Sequence, residues 1–522
     1  MTKGRAHGGA AFLVGAGILF SRLAGLIRQK VFAHYFGASP VADAFNAAFR
    51  IPNLLQNLFG EGVLSASFIP EYSRLVARGD QRESDRLAGA VLAALALVAA
   101  ILVLLGVLMA PMLVALIAPG FTGEKRELTT QLTRIFFPAS GLLVFSAWCL
   151  GILNSHRRFF LSYAAPVVWN LTMVAAMLWF GRGATQQRLV VYLAWASVLG
   201  SAFMFALQLP VVLKLTGAIR PHLDFSSESS RGVIRNFLPA VMSRGVVQIS
   251  AYVDSFIASW LPGAVAIIAY AQLLYTLPVS LFGMAVSAAE IPLMSAATGT
   301  PEEVASYLRG RLDGGLHRIA YFIIPSAVAF FALGDVVGGA LYESGRFSRS
   351  DSIWMWQVLA GSTIGLLAST WGRLYSSTFY AMRDTRTPLY YAAIRVSVAS
   401  TLGYVSALYL PRWLGVDPRY GAAFLTAASG AAGWLEFLLL RREMKRRIGH
   451  TSIRRAHTFR LWFAALSAAA IAWGFKLGLE STHTVWTALA ILASYGVAYL
   501  LLTTLFQVPE AVALTARLTR RR

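Results

Sequence analysis

Apolar segments of about twenty residues alternate with short polar segments along the whole chain, a pattern that predicts membrane-spanning helices. A scan with windows of that length gives about fourteen candidate spans. They begin near Ala10, Ala42, Leu87, Gln131, Leu161, Leu189, Ile234, Ala264, Ile319, Ile353, Leu389, Ala422, Leu461 and Val485. The pattern therefore predicts an all-α polytopic membrane protein.

The distribution of basic residues predicts the orientation of these spans. Lys and Arg concentrate in every second loop, most densely between Arg441 and Arg460, and again in the tail ARLTRRR. Cytoplasmic loops of membrane proteins carry this excess of positive charge. An even number of spans with the basic tail inside places both termini in the cytoplasm.

The chain also resembles itself, which predicts its domain organisation. SASFIPEYS (Ser65 to Ser73) recurs as SAAEIPLMS (Ser287 to Ser295), 222 residues further on, and Ser21-Arg22 recurs as Ser243-Arg244 at the same offset. Six spans separate the copies, so both halves run in the same direction, as in transporters built from parallel repeats. We predict two pseudo-symmetric six-helix lobes, residues 1–225 and 226–450, followed by a C-terminal two-helix hairpin and basic tail, residues 451–522.

Composition narrows the class of protein further. Of the 522 residues 57% are hydrophobic and 13% charged, well outside the range of soluble domains. The net charge of +22 lies in short loops between spans, which argues against a nucleic-acid partner. A single cysteine, Cys149, excludes a disulfide within the chain and suggests no metal cluster. The outer loops are too short to hold a glycosyltransferase or phosphatase site, so we expect no enzyme.

The second predicted span carries a polar stripe. On an α-helix, Asp43, Asn46, Arg50, Asn53, Asn57 and Glu61 fall within an arc of roughly 80° and cover about 27 Å of rise, nearly the hydrocarbon thickness. Interhelical hydrogen bonding explains buried asparagines. Charges inside a membrane usually face a water-filled cavity, and we favour that interpretation. Gln56 lies off the stripe unless a kink at Pro52 rotates it back.

Arginines suggest an anion site, and one carboxylate suggests a cation site. Arg22 and Arg28 of the first span flank one pocket or extend to the interface, and Arg244 is the repeat image of Arg22. The guanidinium fork suits phosphate oxygens. Asp254, with Asp384 and Ser400, is a candidate sodium site, although pairing of Asp254 with a nearby arginine explains its charge equally well.

The motifs SRLAGLIRQ, DAFNAAFRIPNLLQNLFGEGVLSASFIPEYSR and FYAMRDTRTP resemble the MurJ/MviN family, the lipid II flippases of bacterial peptidoglycan synthesis. The resemblance covers the whole chain. It implies the multidrug/oligosaccharidyl-lipid/polysaccharide exporter fold, with the hairpin forming a groove for a lipid tail, and alternating access in the bacterial cytoplasmic (inner) membrane. It places Arg22 and Arg28 on the family's first-span arginines, Asp43 on its second-span acid, Glu61 on its FxEG glutamate and Arg373 on a basic position.

Two positions depart from the family pattern. Gln56 stands where arginine is common, and Leu273 stands where many members have a cavity arginine. Either the Gln56 amide replaces the lost charge, or Arg50, Arg244 or Arg373 compensates for it. We favour Arg244, because an amide alone serves a diphosphate poorly.

The leading hypothesis is a lipid II flippase. The partners it implies are lipid II, membrane lipids and cell-wall synthesis proteins, with no cofactor other than a sodium ion or the membrane potential for coupling. Export of another polyprenyl-diphosphate-linked saccharide or of a drug, or a non-transporting scaffold of the same fold, remain alternatives.

Overall fold

The computed structural model describes residues 3–59, 61–217, 219–224, 227–228, 230–235, 237, 252–451, 455–478 and 485–519. The side chains of residues 3–16, 18, 51, 54–59, 61–63, 65–66 and 517–519 lie outside the description. The described residues are 87% helical and contain no β-strand. The all-α prediction is therefore confirmed.

The chain divides into two compact units, Met1–Ala266 and Ile267–Arg522. The predicted divisions after residues 225 and 450 follow the sequence repeat rather than compactness, and they stay predictions. The helices of the first unit are α1 (Lys3–Phe36), α2 (Pro40–Phe59), α3 (Glu61–Arg78), α4 (Gln81–Leu108), α5 (Ala110–Ile117), α6 (Gly123–Ser155), α7 (Phe159–Phe180) and α8 (Gln186–Leu215). Residues 252–258 form a further helical segment of this unit.

The second unit begins within α9 (Ala264–Pro278), which continues through a π-helical turn, Val279–Met284, into α10 (Ala285–Ser295). The remaining helices are α11 (Pro301–Tyr342), α12 (Arg349–Thr363), α13 (Leu366–Ala381), α14 (Arg386–Leu408), α15 (Leu410–Leu414), α16 (Gly421–Ile448), α17 (Arg455–Gly478), α18 (Val485–Leu505) and α19 (Pro509–Thr519).

Nine helical stretches among the described residues are long and apolar enough to cross a membrane. Each coincides with one of the predicted spans, so a multi-pass membrane protein is confirmed. The other five predicted spans begin near Ala10, Ala42, Ile234, Ile353 and Leu389. Four of them coincide with α1, α2, α12 and α14, and most of the fifth lies outside the described residues. The total of fourteen stays a prediction.

The core of the first unit lies between α3, α4, α6 and α8. Trp148 and Phe68 are fully buried there, and the Trp148 indole N–H donates to the carbonyl of Ala88 at 3.2 Å. Lipid tails are as apolar as these side chains, so close packing and such hydrogen bonds hold the helices together. Gly106 shows how tight this packing is, since a Cβ there would lie 2.1 Å from the Phe137 ring.

Helices of the second unit are interrupted, and neighbouring side chains satisfy the carbonyls that the interruptions release. Pro325 has no N–H to donate to the carbonyl of Tyr321, and the Tyr499 hydroxyl donates to that carbonyl at 2.7 Å. The backbone of α11 is non-helical at Leu333, and the indole of Trp473 donates to the adjacent carbonyl of Ala332 at 2.9 Å. Because α17 supplies Trp473 and α18 supplies Tyr499, these bonds anchor the C-terminal hairpin to α11.

Candidate functional site

Asp43, in the first turn of α2, is a completely buried carboxylate that protein donors hold on both oxygens. Its Oδ2 accepts from Lys125 Nζ at 2.6 Å and from the Gly263 N–H at 2.7 Å, and its Oδ1 accepts from the Ala266 N–H at 2.8 Å. Gly263 and Ala266 belong to the start of α9, whose first N–H groups have no partner within the helix. Asp43 therefore caps that helix start from another part of the chain.

Lys125 is the residue of this cluster that the sequence analysis missed. It lies in the first turn of α6, with its ammonium 2.6 Å from Asp43 and 3.8 Å from the centre of the Phe121 ring. A cation over an aromatic ring beside a carboxylate is stabilised by both. The arrangement shows Asp43 engaged by the protein, and direct contact between Asp43 and a substrate stays a prediction. In the sequence Lys125 is one of four consecutive charged residues, Glu124 to Glu127, ahead of an apolar span, and nothing there distinguishes it from its neighbours.

Arg50, two turns further along α2, is tied to the helical segment 252–258. Its guanidinium donates to the Ser255 hydroxyl, its carbonyl accepts from the Tyr252 hydroxyl at 3.0 Å, and it interacts electrostatically with Asp254. The arginine that sequence analysis offered as a partner for Asp254 is therefore Arg50. The other polar residues of the stripe are less constrained: Asn46 donates to the carbonyl of Ala42 in its own helix, and Asn53 is half-buried.

The two arginines of α1 lie in different surroundings. Arg22 is exposed, whereas Arg28 is half-buried with its guanidinium 4.9 Å from the centre of the Trp169 ring of α7. One Arg28 nitrogen also lies 3.9 Å from the Met173 sulfur. Trp169 in turn donates to Ser197 of α8 at 3.2 Å, which fixes the plane on which Arg28 rests. Arg28 is thus held in one orientation.

The second unit has a polar cluster of its own around Arg373. Arg373 is exposed on α13, and Arg395 of α14 lies 2.9 Å from Glu436 of α16. Both arginines act electrostatically on Glu436 and on Tyr275 of α9. The sequence analysis proposed Arg373 as a source of compensating charge and assigned no role to Arg395 or Glu436. The structure brings all three together.

The three candidate sodium ligands do not assemble as expected. Asp384 accepts hydrogen bonds from Thr387 and forms an ion pair with Arg447 at 2.7 Å. Ser400 donates to the carbonyl of Val396 within α14. Fourteen residues of α14 separate Arg386 from Ser400, a rise of about 21 Å, so Asp384 and Ser400 cannot bind one ion. Among the described residues no group of three His, Cys, Asp or Glu side chains is arranged to hold a metal.

Four candidate residues fall outside the described atoms, namely the side chains of Gln56, Asn57 and Glu61 and the whole of Arg244. The choice between Gln56 and Arg244 as the source of the missing charge therefore stays open. Leu273 is described and half-buried on α9.

Long apolar helices that carry arginines and carboxylates on polar faces define a multi-pass membrane protein, the class to which transporters belong. The chain belongs to the family described as "Lipid II flippase MurJ", whose model matches residues 32–519. It is 31% identical over 447 residues to the "Probable lipid II flippase MurJ" of Rhizobium tropici, covering 84% of this chain and 80% of that one. It is also 31% identical over 430 residues to the "Lipid II flippase MurJ" of Burkholderia cenocepacia, covering 81% and 80%.

Solved structures support the same fold. A structure titled "Lipid II flippase MurJ, inward closed conformation" matches with a TM-score of 0.77 at 23% identity, over 95% of this chain and 98% of that one. An inward-facing multidrug resistance transporter of the MATE family, in the MOP superfamily, matches with a TM-score of 0.63 at 16% identity, over 83% and 96%. The predicted exporter fold is confirmed by these matches.

Proposed function

We propose that this protein translocates lipid II from the cytoplasmic to the outer leaflet by alternating access, as a step of cell-wall synthesis. The observation that carries the proposal is the match of the family model to nearly the whole chain, together with relatives that are named lipid II flippases. The role is transport rather than catalysis, and lipid II is the substrate partner.

Arginines would supply the recognition of the substrate's diphosphate. Arg28 is presented on the fixed ring of Trp169, and Arg373 is exposed on the polar face of α13. A guanidinium donates two parallel hydrogen bonds to phosphate oxygens, which gives direction as well as charge. Arg22, exposed on α1, adds positive charge to the same unit as Arg28. Within the first unit, Asp43 and Lys125 would hold α2 and the start of α9 in place.

The setting of this transport is also a proposal. The basic loop at 441–460 and the basic tail favour both termini in the cytoplasm. The lipid II flippase family favours the bacterial inner membrane. Coupling to a sodium ion at Asp254 or to the membrane potential is compatible with the charges present, and cell-wall synthesis proteins and membrane lipids are further partners.

A second candidate function is export of a different polyprenyl-diphosphate-linked saccharide. The residues that favour it are Gln56 and Leu273, which replace arginines common in the family. A substrate with the same diphosphate and a different sugar would still need Arg28 and Arg373.

Complementation in a strain depleted of its own lipid II flippase tests the proposal. We expect the wild-type protein to restore growth, and Arg22→Ala and Arg28→Ala to abolish it at normal protein levels. Loss of one charge from a desolvated pair costs about 2–5 kcal/mol, enough to stop transport. Arg188→Ala, at an exposed arginine of α8, is the control and should grow normally. The proposal would be contradicted if the wild-type protein failed to restore growth, or if both Ala variants restored it fully.

A further inference from the structure

A polar stripe also runs along α13 in the second unit. Ser369, Arg373, Ser376 and Tyr380 fall within an arc of roughly 60° on a regular helix. Arg373 and Tyr380 are exposed, while Leu374 and Phe379, on other faces of α13, are completely buried. A charged side chain facing lipid is costly, so an exposed intramembrane arginine among hydroxyl groups indicates a water-accessible face.

Two neighbouring helices place charges beside this stripe. Arg395 of α14 and Glu436 of α16 form an ion pair at 2.9 Å, and both arginines act on Glu436. The Ser369 hydroxyl of the stripe is hydrogen-bonded to the Tyr275 hydroxyl of α9 at 2.9 Å. Arg395 pairs with Glu436, whereas Arg373 acts on this carboxylate only electrostatically. One carboxylate beside two guanidinium groups leaves an excess of positive charge.

The ion pair between Arg395 and Glu436 is geometrically imperfect. The Arg395 Nε atom is buried and lies 2.9 Å from the carboxylate oxygen, yet its N–H is not aligned for a hydrogen bond and finds no other acceptor among the described residues. By contrast, Asp43 in the first unit accepts three aligned hydrogen bonds. A carboxylate that neutralises an arginine without bonding it well is readily exchanged for a better acceptor.

We propose that Arg373 and Arg395 form an anion site for a phosphate group, in which Glu436 is an internal counter-ion that the arriving phosphate replaces. This inference rests on the proposed function, because it names residues that would receive the diphosphate of the transported lipid. In the empty state Glu436 neutralises Arg395. In the occupied state the phosphate accepts from both guanidinium forks, which match its oxygens better than one carboxylate does.

Glu436 is on this account a positioning residue that sets how tightly the anion is held. Removal of its charge should strengthen anion binding and slow anion release. Glu436→Gln keeps the shape of the side chain, so we expect inorganic pyrophosphate to bind about tenfold more tightly, which corresponds to the lower end of coupling energies for close charge pairs. Arg395→Gln should weaken binding by a similar factor.

The experiment measures pyrophosphate affinity by calorimetry on the purified full-length protein in detergent, and transport in proteoliposomes as a separate readout. Glu443→Gln is the matched control, because Glu443 lies on the same helix and pairs with Arg446 and Arg447. We expect Glu443→Gln to bind pyrophosphate with the affinity of the wild type. The double variant Arg395→Gln/Glu436→Gln should bind more weakly than Glu436→Gln. Should Glu436→Gln fail to fold, Arg395→Gln compared with the wild type tests the inference instead.

Each outcome decides the inference. Tighter binding by Glu436→Gln, weaker binding by Arg395→Gln and slower transport by Glu436→Gln support it. Unchanged or weaker binding by a folded Glu436→Gln, or an Arg395→Gln variant with wild-type affinity, overturns it. If the substitutions change binding of the lipid-linked diphosphate but not of pyrophosphate, the assignment of this site to a phosphate group is overturned. If the protein transports lipid II but the variants bind pyrophosphate with wild-type affinity, this inference alone is wrong. If the variants show the altered affinities but the protein does not transport lipid II, only the proposed function is wrong.

Discussion

The polar stripes of α2 and α13 each contain an arginine, but the charges of the two stripes are used differently. On α2 the charges at Asp43 and Arg50 are engaged by Lys125, by backbone N–H groups and by Ser255. On α13, Arg373 is exposed, and the charges nearest to it form the loosely matched pair of Arg395 and Glu436. The first stripe holds helices in place, and the second presents charge.

The comparison teaches that a specific motif does not identify the residues that remain available to a ligand. Buried charges are stable only when they are paired and hydrogen-bonded, so the deepest charge of a motif is often committed to the protein itself. An exposed arginine with weaker sequence support is then the better candidate for binding. Four predictions would break or sharpen this contrast.

The largest effect is expected for Lys125→Ala. It leaves the Asp43 carboxylate buried without its counter-charge, which typically costs about 3–5 kcal/mol. We expect a lower thermal unfolding temperature in detergent and reduced protein levels. Adding Asp43→Asn should recover part of the loss, and Arg126→Ala, an exposed neighbour, should have no effect. A stable Lys125→Ala protein would show that the α2 stripe is not structural.

Unlike Lys125→Ala, Arg373→Ala should leave the stability of the protein almost unchanged and abolish its function. Its exposed side chain holds no helix together, so stability should change by about 0.5 kcal/mol or less, while complementation should be lost. Arg373→Lys should restore growth in part, because a point charge replaces a fork. A destabilised Arg373→Ala protein, or one that complements fully, would remove the contrast between the stripes.

A smaller effect is expected where an arginine is positioned by an aromatic ring. Trp169→Leu removes the face on which Arg28 rests, an interaction worth about 0.5–2 kcal/mol. We expect transport in proteoliposomes to fall several-fold without complete loss. Trp179→Leu, at an exposed tryptophan of the same helix, is the matched control. Equal transport by the two variants would mean that Trp169 does not position Arg28.

The smallest effect is expected at Asp384, outside the spans. Burial alone would raise the pKa of Asp384, but the hydrogen bonds from Thr387 and the ion pair with Arg447 outweigh it and hold the pKa below its ordinary value. A lowered folded-state pKa stabilises the protein above the unfolded-state pKa, and this stabilisation disappears as the pH falls through the folded-state pKa.

Asp384→Asn should therefore cost about 1 kcal/mol or less at neutral pH, and nothing in strong acid, when unfolding is followed against pH. Sodium dependence of transport should be unchanged, because Asp384 is already bonded to Thr387 and Arg447. If transport by Asp384→Asn no longer depended on sodium, Asp384 would be a cation ligand after all. Asp351→Asn, which removes another half-buried carboxylate from the start of a helix, provides the comparison.

The sequence by itself determined the helical membrane class, most of the spans and the family. Hydropathy decides these features locally, since twenty apolar residues must cross a bilayer as a helix whatever surrounds them. The helices α2 and α14, which carry Asp43 and Arg395, are not among the nine most apolar stretches, because polar residues lower their apolar character.

The tertiary structure alone decided which charges meet. Lys125 reaches Asp43 across 82 positions of sequence, and the hydroxyl of Tyr499 reaches the carbonyl that Pro325 releases. No local pattern encodes such partners, because they depend on how separate helices pack and on which polar groups burial would otherwise leave unsatisfied. That is why the sequence identified Asp43 as important, and only the structure showed that Lys125 and the start of α9 are what it holds.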